Sequence, residues 1–365
     1  MPSDIYLSNP TVTPLDLRLL TEALKSSSPM GSSHRAALES TVAKATGCEY
    51  AVAIASGEQA ISTLLHAMGV GPGHDVILPA LGDAACVRSV RRIGSTAHFA
   101  ECDPGTLVPT SRTIEAVVTP TTTAVLAGHG DGWGTGLPDI AAGCARLEVP
   151  FVELVATRIG SQWATATAGS LGRAAVVDLS TRSLMSGGEG AAIVTNDAHL
   201  AEACRAGDFV TCQSTHRADP MPEFTAALAS AQLARMNGIM DVCGGIAERY
   251  TVSLSQMPEL LLPAMTPDAM SSWSRYVVRL DETFGQDDRD EIIRGMQRHD
   301  IHADIGLAHL PTVWDGAFEG VCPMAASIAT RTIALPIHPD LTHRDVDLIC
   351  QTLQLMIQRA TFRRD

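Results

Sequence analysis

Apolar positions along this chain gather into short runs separated by stretches with a three-to-four-residue repeat. The runs at 50–56 (YAVAIAS), 75–80 (DVILPA), 95–101, 122–128 (TTAVLAG), 150–156, 174–180 and 191–197 are nearly continuously apolar, which predicts strands. Helical patterns lie between them: from Gln59 to about Met68, from the end of the second run to about Arg92, and over 137–148, where Pro138 suits a first turn. Strands apolar on both faces and alternating with amphipathic helices predict a largely parallel sheet covered by helices on either side. After about residue 240 the pattern changes. A helix over 243–256, a partly alternating strand at 274–282, an amphipathic helix at 286–301 and a strand–turn–helix ending in 331–360 predict a smaller α+β unit. The expected organisation is a large α/β domain over 1–240 and a small α+β domain over 241–365.

Composition narrows the function classes. The 365 residues are 45% hydrophobic and 18% charged, as in a folded globular protein. A net charge of −14 repels phosphate backbones, so nucleic acid is not an expected partner. Nine scattered cysteines without a C-x-x-C pair predict buried thiols in a reducing compartment, not a zinc site or disulfide framework. The start, MPSDIYLSNP, is unlike a secretory leader, and no run approaches the roughly 18 apolar residues of a membrane span. A cytoplasmic protein with a small-molecule substrate and no membrane contact is expected.

The segment DLSTRSLMSGGEG (178–190) is a Gly-rich loop after a strand, with Arg182 at its centre and no lysine, cysteine or histidine. Its surroundings resemble a known family. IYLSNPTVTPLDLRLLTEALKS, YAVAIASGEQAISTLLHAMGVGPGHDVILPA, SGGEGAAIVTND, EFTAALASAQL and IALPIHPDLTHRDVDLI are similar, in order, to blocks of the DegT/DnrJ/EryC1/StrS sugar aminotransferases. The resemblance implies a fold-type-I aminotransferase-like architecture, a three-layer α/β/α large domain with a smaller C-terminal α+β domain. It also implies a homodimer whose subunits both line each cleft, and pyridoxal phosphate (PLP) as the usual cofactor.

Set against the family's motifs, the cofactor positions differ here. The Schiff-base lysine aligns with Arg182, whose guanidinium stays protonated and delocalised. The acid that pairs with the pyridine nitrogen aligns with Leu154, and Glu153 points to the other face of its strand. The phosphate hydroxyl aligns with Glu58 after Ser56-Gly57, the stacking aromatic with Asp83, a further donor with Val177, and an asparagine lent by the neighbouring subunit with Ala218. These substitutions predict a degenerate member that lacks the Schiff-base lysine and needs no cofactor.

On this fold, strand ends and the loops after them line the cleft. The expected catalytic groups are Asp83, Glu58, Arg182, Asp178 and His129, with Asp131, Trp133, Ser56, Gly57 and Glu189 contacting substrate. Two carboxylates, an imidazole and a fixed cation suit acid/base work, with Arg182 clamping an anionic group. Structural readings stand beside these: an Asp178–Arg182 ion pair across the turn, and Glu189 and His129 as ordinary family residues. His302, His309 and His338 read as structural, and no spacing supports a metal site. The function expected is a PLP-independent lyase, cyclase, condensing enzyme or hydrolase acting on a small amino-sugar or amino-acid-derived metabolite of natural-product biosynthesis. Two alternatives stay open: a silent partner forming a heteromer with an active aminotransferase, and a sugar aminotransferase or dehydratase that depends on PLP or pyridoxamine phosphate (PMP).

Overall fold

The computed structural model describes residues 4–9, 11–25, 33–128, 136–155, 159, 161–163, 166–180, 188–210, 215–263, 273–316 and 322–363. Seven strands form the main sheet: β1 (Tyr50–Ile54), β2 (Asp75–Pro79), β3 (Thr96–Ala100), β4 (Thr122–Gly128), β5 (Phe151–Val155), β6 (Ala174–Asp178) and β7 (Ala191–Thr195). Their spatial order is β1-β7-β6-β5-β4-β2-β3. All neighbours are parallel except β7, which runs antiparallel to both β1 and β6. The fold is mixed α/β, with the parallel strands carried on crossover helices.

Strand alternation sorts the apolar side chains into two layers. Val52, Val76, Phe99, Leu126, Leu154 and Val176 face helices α3 (Gly57–Ala67), α4 (Ala84–Arg92) and α7 (Ala198–Ala206). The other face packs in two groups, one against α2 (Ser33–Thr46) and α8 (Glu223–Leu233), the other against α5 (Ser111–Glu115) and α6 (Leu137–Arg146).

A second sheet follows, built from β8 (Leu260–Leu261), β9 (Tyr276–Leu280), β10 (Asp304–Ile305) and β11 (Thr332–Leu335), in the antiparallel order β8-β9-β11-β10. Its core is closed by α9 (Met236–Leu254), α10 (Gln286–Gln297) and α12 (His343–Phe362). Residue 240, where the sequence pattern changes, lies inside the continuous helix α9. Tyr250 is fully buried there and donates to the carbonyl of Pro336 at 2.7 Å.

Two connections hold the sheets beside one another. Leu81–Gly82 pairs antiparallel with Ala308–His309, and Leu310 N–H donates to Ala80 O at 2.8 Å. The N-terminal arm bridges Ile5 to Ile301, and Leu7 O accepts from Ile337 N–H. Farther along, Asp16 opens helix α1 (Pro14–Lys25). It is 1% exposed and accepts from Thr13 N–H at 2.6 Å, Gln232 Nε2 at 3.0 Å and Arg235 Nη2 at 2.9 Å. The start of the chain is thereby fastened to α8 and α9.

Eight of the nine cysteines lie among the described residues, and all eight are free thiols; Cys212 lies outside them. No described helix is long and apolar enough to cross a membrane.

Candidate active site

A cleft of about 740 Å³ opens where the C-terminal ends of β2, β4, β5 and β6 meet the start of α3. Crevices of open α/β sheets form there because loops diverge at the strand ends. Leu154 and Val176, direct neighbours in the β5–β6 register, form the floor. Gly128 ends β4 beside them. A Cβ at that position would stand 2.7 Å from Leu154 O, so only glycine lets the two strands approach so closely. The C-terminal part supplies the far wall through Arg275 and Asp304–Gly306, and Leu7 and Ser8 of the arm complete the rim.

Ser56, Gly57, Glu58, Asp83, Asp178 and Glu189 all line this cleft. His129, Asp131, Trp133 and Arg182 lie outside the described residues, and so does the Asp178–Arg182 pair considered above. Ser56 is the N-cap of α3: its hydroxyl accepts from Gln59 N–H at 3.3 Å. Among the described residues nothing accepts from the N–H groups of Gly57 or Glu58, and the position of a Gly57 Cβ faces open space. The helix thus presents two donors and the positive end of its dipole to the cleft.

Glu58 is not placed as the sequence implied. Its carboxylate is not turned on an anion in the cleft. It takes a hydrogen bond from Arg88 Nε at 2.8 Å and lies 4.0 Å from Arg92 Nη1. Arg88 is half exposed, so the pair contributes no more than about 1 kcal/mol to stability. Its effect is on direction: the carboxylate is held toward α4.

Asp83 is exposed and spends one oxygen on capping α4, accepting from Ala85 N–H at 2.7 Å. Asp178 accepts from Ser180 N–H at 2.9 Å and Ser180 Oγ at 3.0 Å, which fixes the first turn of the loop after β6. Glu189 sits exposed at the mouth.

Val177 also needs correction as a cleft position. It is fully buried against the α2–α8 layer, and Val176 faces the cleft. Strand alternation moves the position by one residue. By the same alternation Glu153 is fully buried away from the cleft, where it accepts from Leu171 N–H at 3.1 Å.

Sequence reasoning missed Arg88, Arg275 and Leu7–Ser8. Arg275 Nη2 donates to the carbonyls of Ile305 and Gly306 at 3.1 and 2.7 Å, which sets its guanidinium in the wall. No local motif marks any of these residues, since each reaches the cleft through a distant contact. Cys86 is the one thiol among the described lining residues. Burial, with Asp83 adding to it, pushes its pKa up to about 12. Among the described residues no group of three His, Cys, Asp or Glu side chains could hold a metal ion.

This sheet order and cleft position define the class: the molecule has the fold-type-I aminotransferase fold. Comparison with known proteins then fixes the family. The profile of the DegT/DnrJ/EryC1/StrS aminotransferase family matches residues 11–354, and the chain belongs to that family. It is 26% identical over 377 residues to the spore coat polysaccharide biosynthesis protein SpsC of Bacillus subtilis (strain 168), covering 97% of each chain. The crystal structure of the aminotransferase TlmJ from Streptoalloteichus hindustanus superposes with a TM-score of 0.88 at 26% identity, covering 98% of this chain and 100% of TlmJ. Spr1654 from Streptococcus pneumoniae, solved in a PLP form, shares the fold at 18% identity with a TM-score of 0.88, covering 98% and 99%.

These findings overturn the expectation of a PLP-independent acid/base enzyme without a cofactor. The family is one of aminotransferases, its profile and the matched relatives span nearly all of the chain, and one neighbour of the same fold is solved in a PLP form. At the start of α3 the N–H groups of Gly57 and Glu58, without an acceptor among the described residues, would suit a phosphate, while the Glu58 carboxylate, paired with Arg88, keeps its charge in the lining.

Proposed function

We propose that the protein is a sugar aminotransferase of this family, working with PLP and PMP on the carbonyl carbon of a small sugar or amino-sugar. The observation that carries the reading is the cleft itself, which has a helix start with two unengaged N–H groups at one end and an apolar floor of Leu154 and Val176. When bound, the cofactor supplies an electron sink and carries the amino group. The chain's own part is to hold and enclose. Gly57 and Glu58 would offer their N–H groups to the phosphate, Leu154 and Val176 would keep water from the apolar floor, and Arg275 and Asp304 would border the space left for the sugar.

A second reading, dehydration of a sugar with PMP, is favoured by Arg182 at the position the family gives to its lysine. We further infer a homodimer. In support, Phe224 is 46% exposed and sits with Pro222 and Leu228 around a shallow groove that shares Glu189 with the cleft. The separate cores of the two sheets support a division into large and small domains, and the free buried thiols support a cytoplasmic setting. The test is a half-reaction. Protein supplied with PMP and a panel of keto-sugars should yield amino-sugar and PLP for the aminotransferase, or deoxygenated keto-sugar for the dehydratase. If no member of a broad panel is converted to either product, the proposal fails.

A further inference from the structure

We propose that the N-terminal arm is a proton-sensitive strap across the rim of the cleft, held shut over the neutral ring of His338 and loosened when that ring takes up a proton. The inference goes beyond the aminotransferase reading, and its test needs no substrate.

The arm is fastened at a few points only. Ile5 N–H donates to Asp300 O, and Ile5 O accepts from His302 N–H, both at 2.8 Å. Ile337 N–H donates to Leu7 O at 3.1 Å. Asp340 Oδ2 accepts from Asn9 Nδ2 and Thr11 Oγ1, both at 3.0 Å, and these bonds are exposed. Between the fastenings Leu7 and Ser8 border the cleft. A segment held by so few and such exposed bonds opens locally at low cost, without the rest of the fold.

His338 lies under this strap, between Ile337 and Asp340 in the turn from β11 to α12. It is 8% exposed, and neither ring nitrogen has a hydrogen-bond partner among the described residues. A neutral imidazole carries one N–H, so a donor is buried there unpaired, which folded proteins rarely allow. The carbonyl of Tyr6 faces the ring outside hydrogen-bond geometry and sets the arm against it. The charged groups that face the ring are Asp340 and Asp345. Asp340 Oδ2 already holds the arm, and Asp345 Oδ2 caps α12, accepting from Thr342 N–H at 2.9 Å and its hydroxyl at 2.6 Å. Burial outweighs the pull of both carboxylates and holds the imidazole below its ordinary pKa. At the outer end of the arm, Asp4 lies 3.5 Å from His302 Nε2, and the Tyr6 ring stacks on His302 at 4.8 Å. That pair is half-exposed; protonating His302 would tighten it weakly, against the effect of His338.

The sign follows from burial. With the arm in place the His338 ring stays neutral, and with the arm lifted it meets water and titrates near its ordinary value of about 6.5. The open form therefore binds more protons. The hold of the strap is complete above about pH 6.5 and is lost as pH falls toward the lower value of the closed form. Acid thus widens the mouth of the cleft without altering its floor.

The test is hydrogen–deuterium exchange read by mass spectrometry on the full-length protein without ligand, corrected for the chemical pH dependence of exchange. Protection of the peptides carrying Ile5–Leu7 and Ile337 should fall about three- to tenfold between about pH 7.5 and 5.5. Peptides of β5 and β6 should hold their protection over the same range. His338→Phe fills the space with a ring that cannot take a proton, and should keep the arm protected at both ends of the range. His338→Gln is the second variant, with the same flat profile expected, and His302→Gln should leave the parent's response in place. A flat profile in the parent would overturn the proposal, whether or not either variant folds. So would a response that survives in folded His338→Phe or His338→Gln, one that vanishes in His302→Gln, or a fall shared by β5 and β6, which would mark general acid unfolding.

Discussion

Asp16 offers a prediction whose size follows from its surroundings. Its carboxylate is 1% exposed and gathers Thr13, Gln232 and Arg235, while the Arg235 side chain is 23% exposed. Asp16→Ala removes the anion and leaves a largely buried guanidinium and an amide short of acceptors. Breaking a buried pair from one side costs about 3–5 kcal/mol. Arg235 keeps some access to water and a hydrogen bond to Thr11 O at 2.8 Å, which argues for the lower part of that range, about 3 kcal/mol. For 365 residues the unfolding entropy near the midpoint is roughly 0.8 kcal/mol per degree, so the melting temperature should fall by about 4 °C. Asp16→Asn keeps the shape and one acceptor for Gln232, and should lose about half as much. Calorimetry of the three proteins at neutral pH is the assay. An Asp16→Ala protein melting within about 1 °C of the parent, or an Asn variant as damaged as the Ala variant, would refute the claim that the charge pair fastens the arm.

Gly128→Ala should destabilise the chain by about 1–3 kcal/mol, because the new methyl meets Leu154 O at 2.7 Å on a strand neighbour that cannot yield without moving the cleft floor; chemical denaturation measures it, and a neutral result would contradict the close β4–β5 approach. Burial pushes the thiols of Cys86, Cys204, Cys243 and Cys350 up to about 12, so at pH 8 essentially no thiolate is present. A colorimetric thiol reagent should leave these four untouched in the native protein and titrate them after unfolding. Burial alone would raise the pKa of Asp75, but hydrogen bonds from Thr119 and Thr121 and the nearby His98 and His74 outweigh it and hold the carboxyl below its ordinary value. A depressed folded pKa gives stability that is present above the unfolded value of about 3.9 and lost as pH falls through the folded one. Asp75→Asn should therefore flatten the acid limb of the stability–pH curve, and coincident limbs for parent and variant would count against this account.

Local signals carried far into the structure. Residues 223–233, EFTAALASAQL, form one helix with those ends, and the strand expected at 150–156 is Phe151–Val155. Direction was not legible: an apolar run looks the same in either sense, so the antiparallel course of β7 emerges only from its pairing. The helix expected from residue 243 begins at Met236, because Gly238 weakened a pattern that packing with the second sheet sustains. At the cleft, residues at strand ends and helix starts were readable because topology alone puts them there. The state of Glu58 was not, since Arg88 lies thirty positions away on another helix. Val177 was misplaced by one residue, an error that period-two alternation turns into the opposite face of the sheet. The substituted cofactor positions were read as loss of the cofactor, and the aminotransferase family match stands against that reading.

The arm has a practical consequence for handling the protein. Ile5 pairs with Ile301 and Leu7 with Ile337, and Leu7 and Ser8 then border the cleft. An affinity tag or a trimmed start would therefore be felt where ligands enter, and kinetic constants from such material would describe an altered rim. The opposite terminus is the safer place for a fusion: α12 ends in exposed Phe362 and Arg363, and neither lines the cleft.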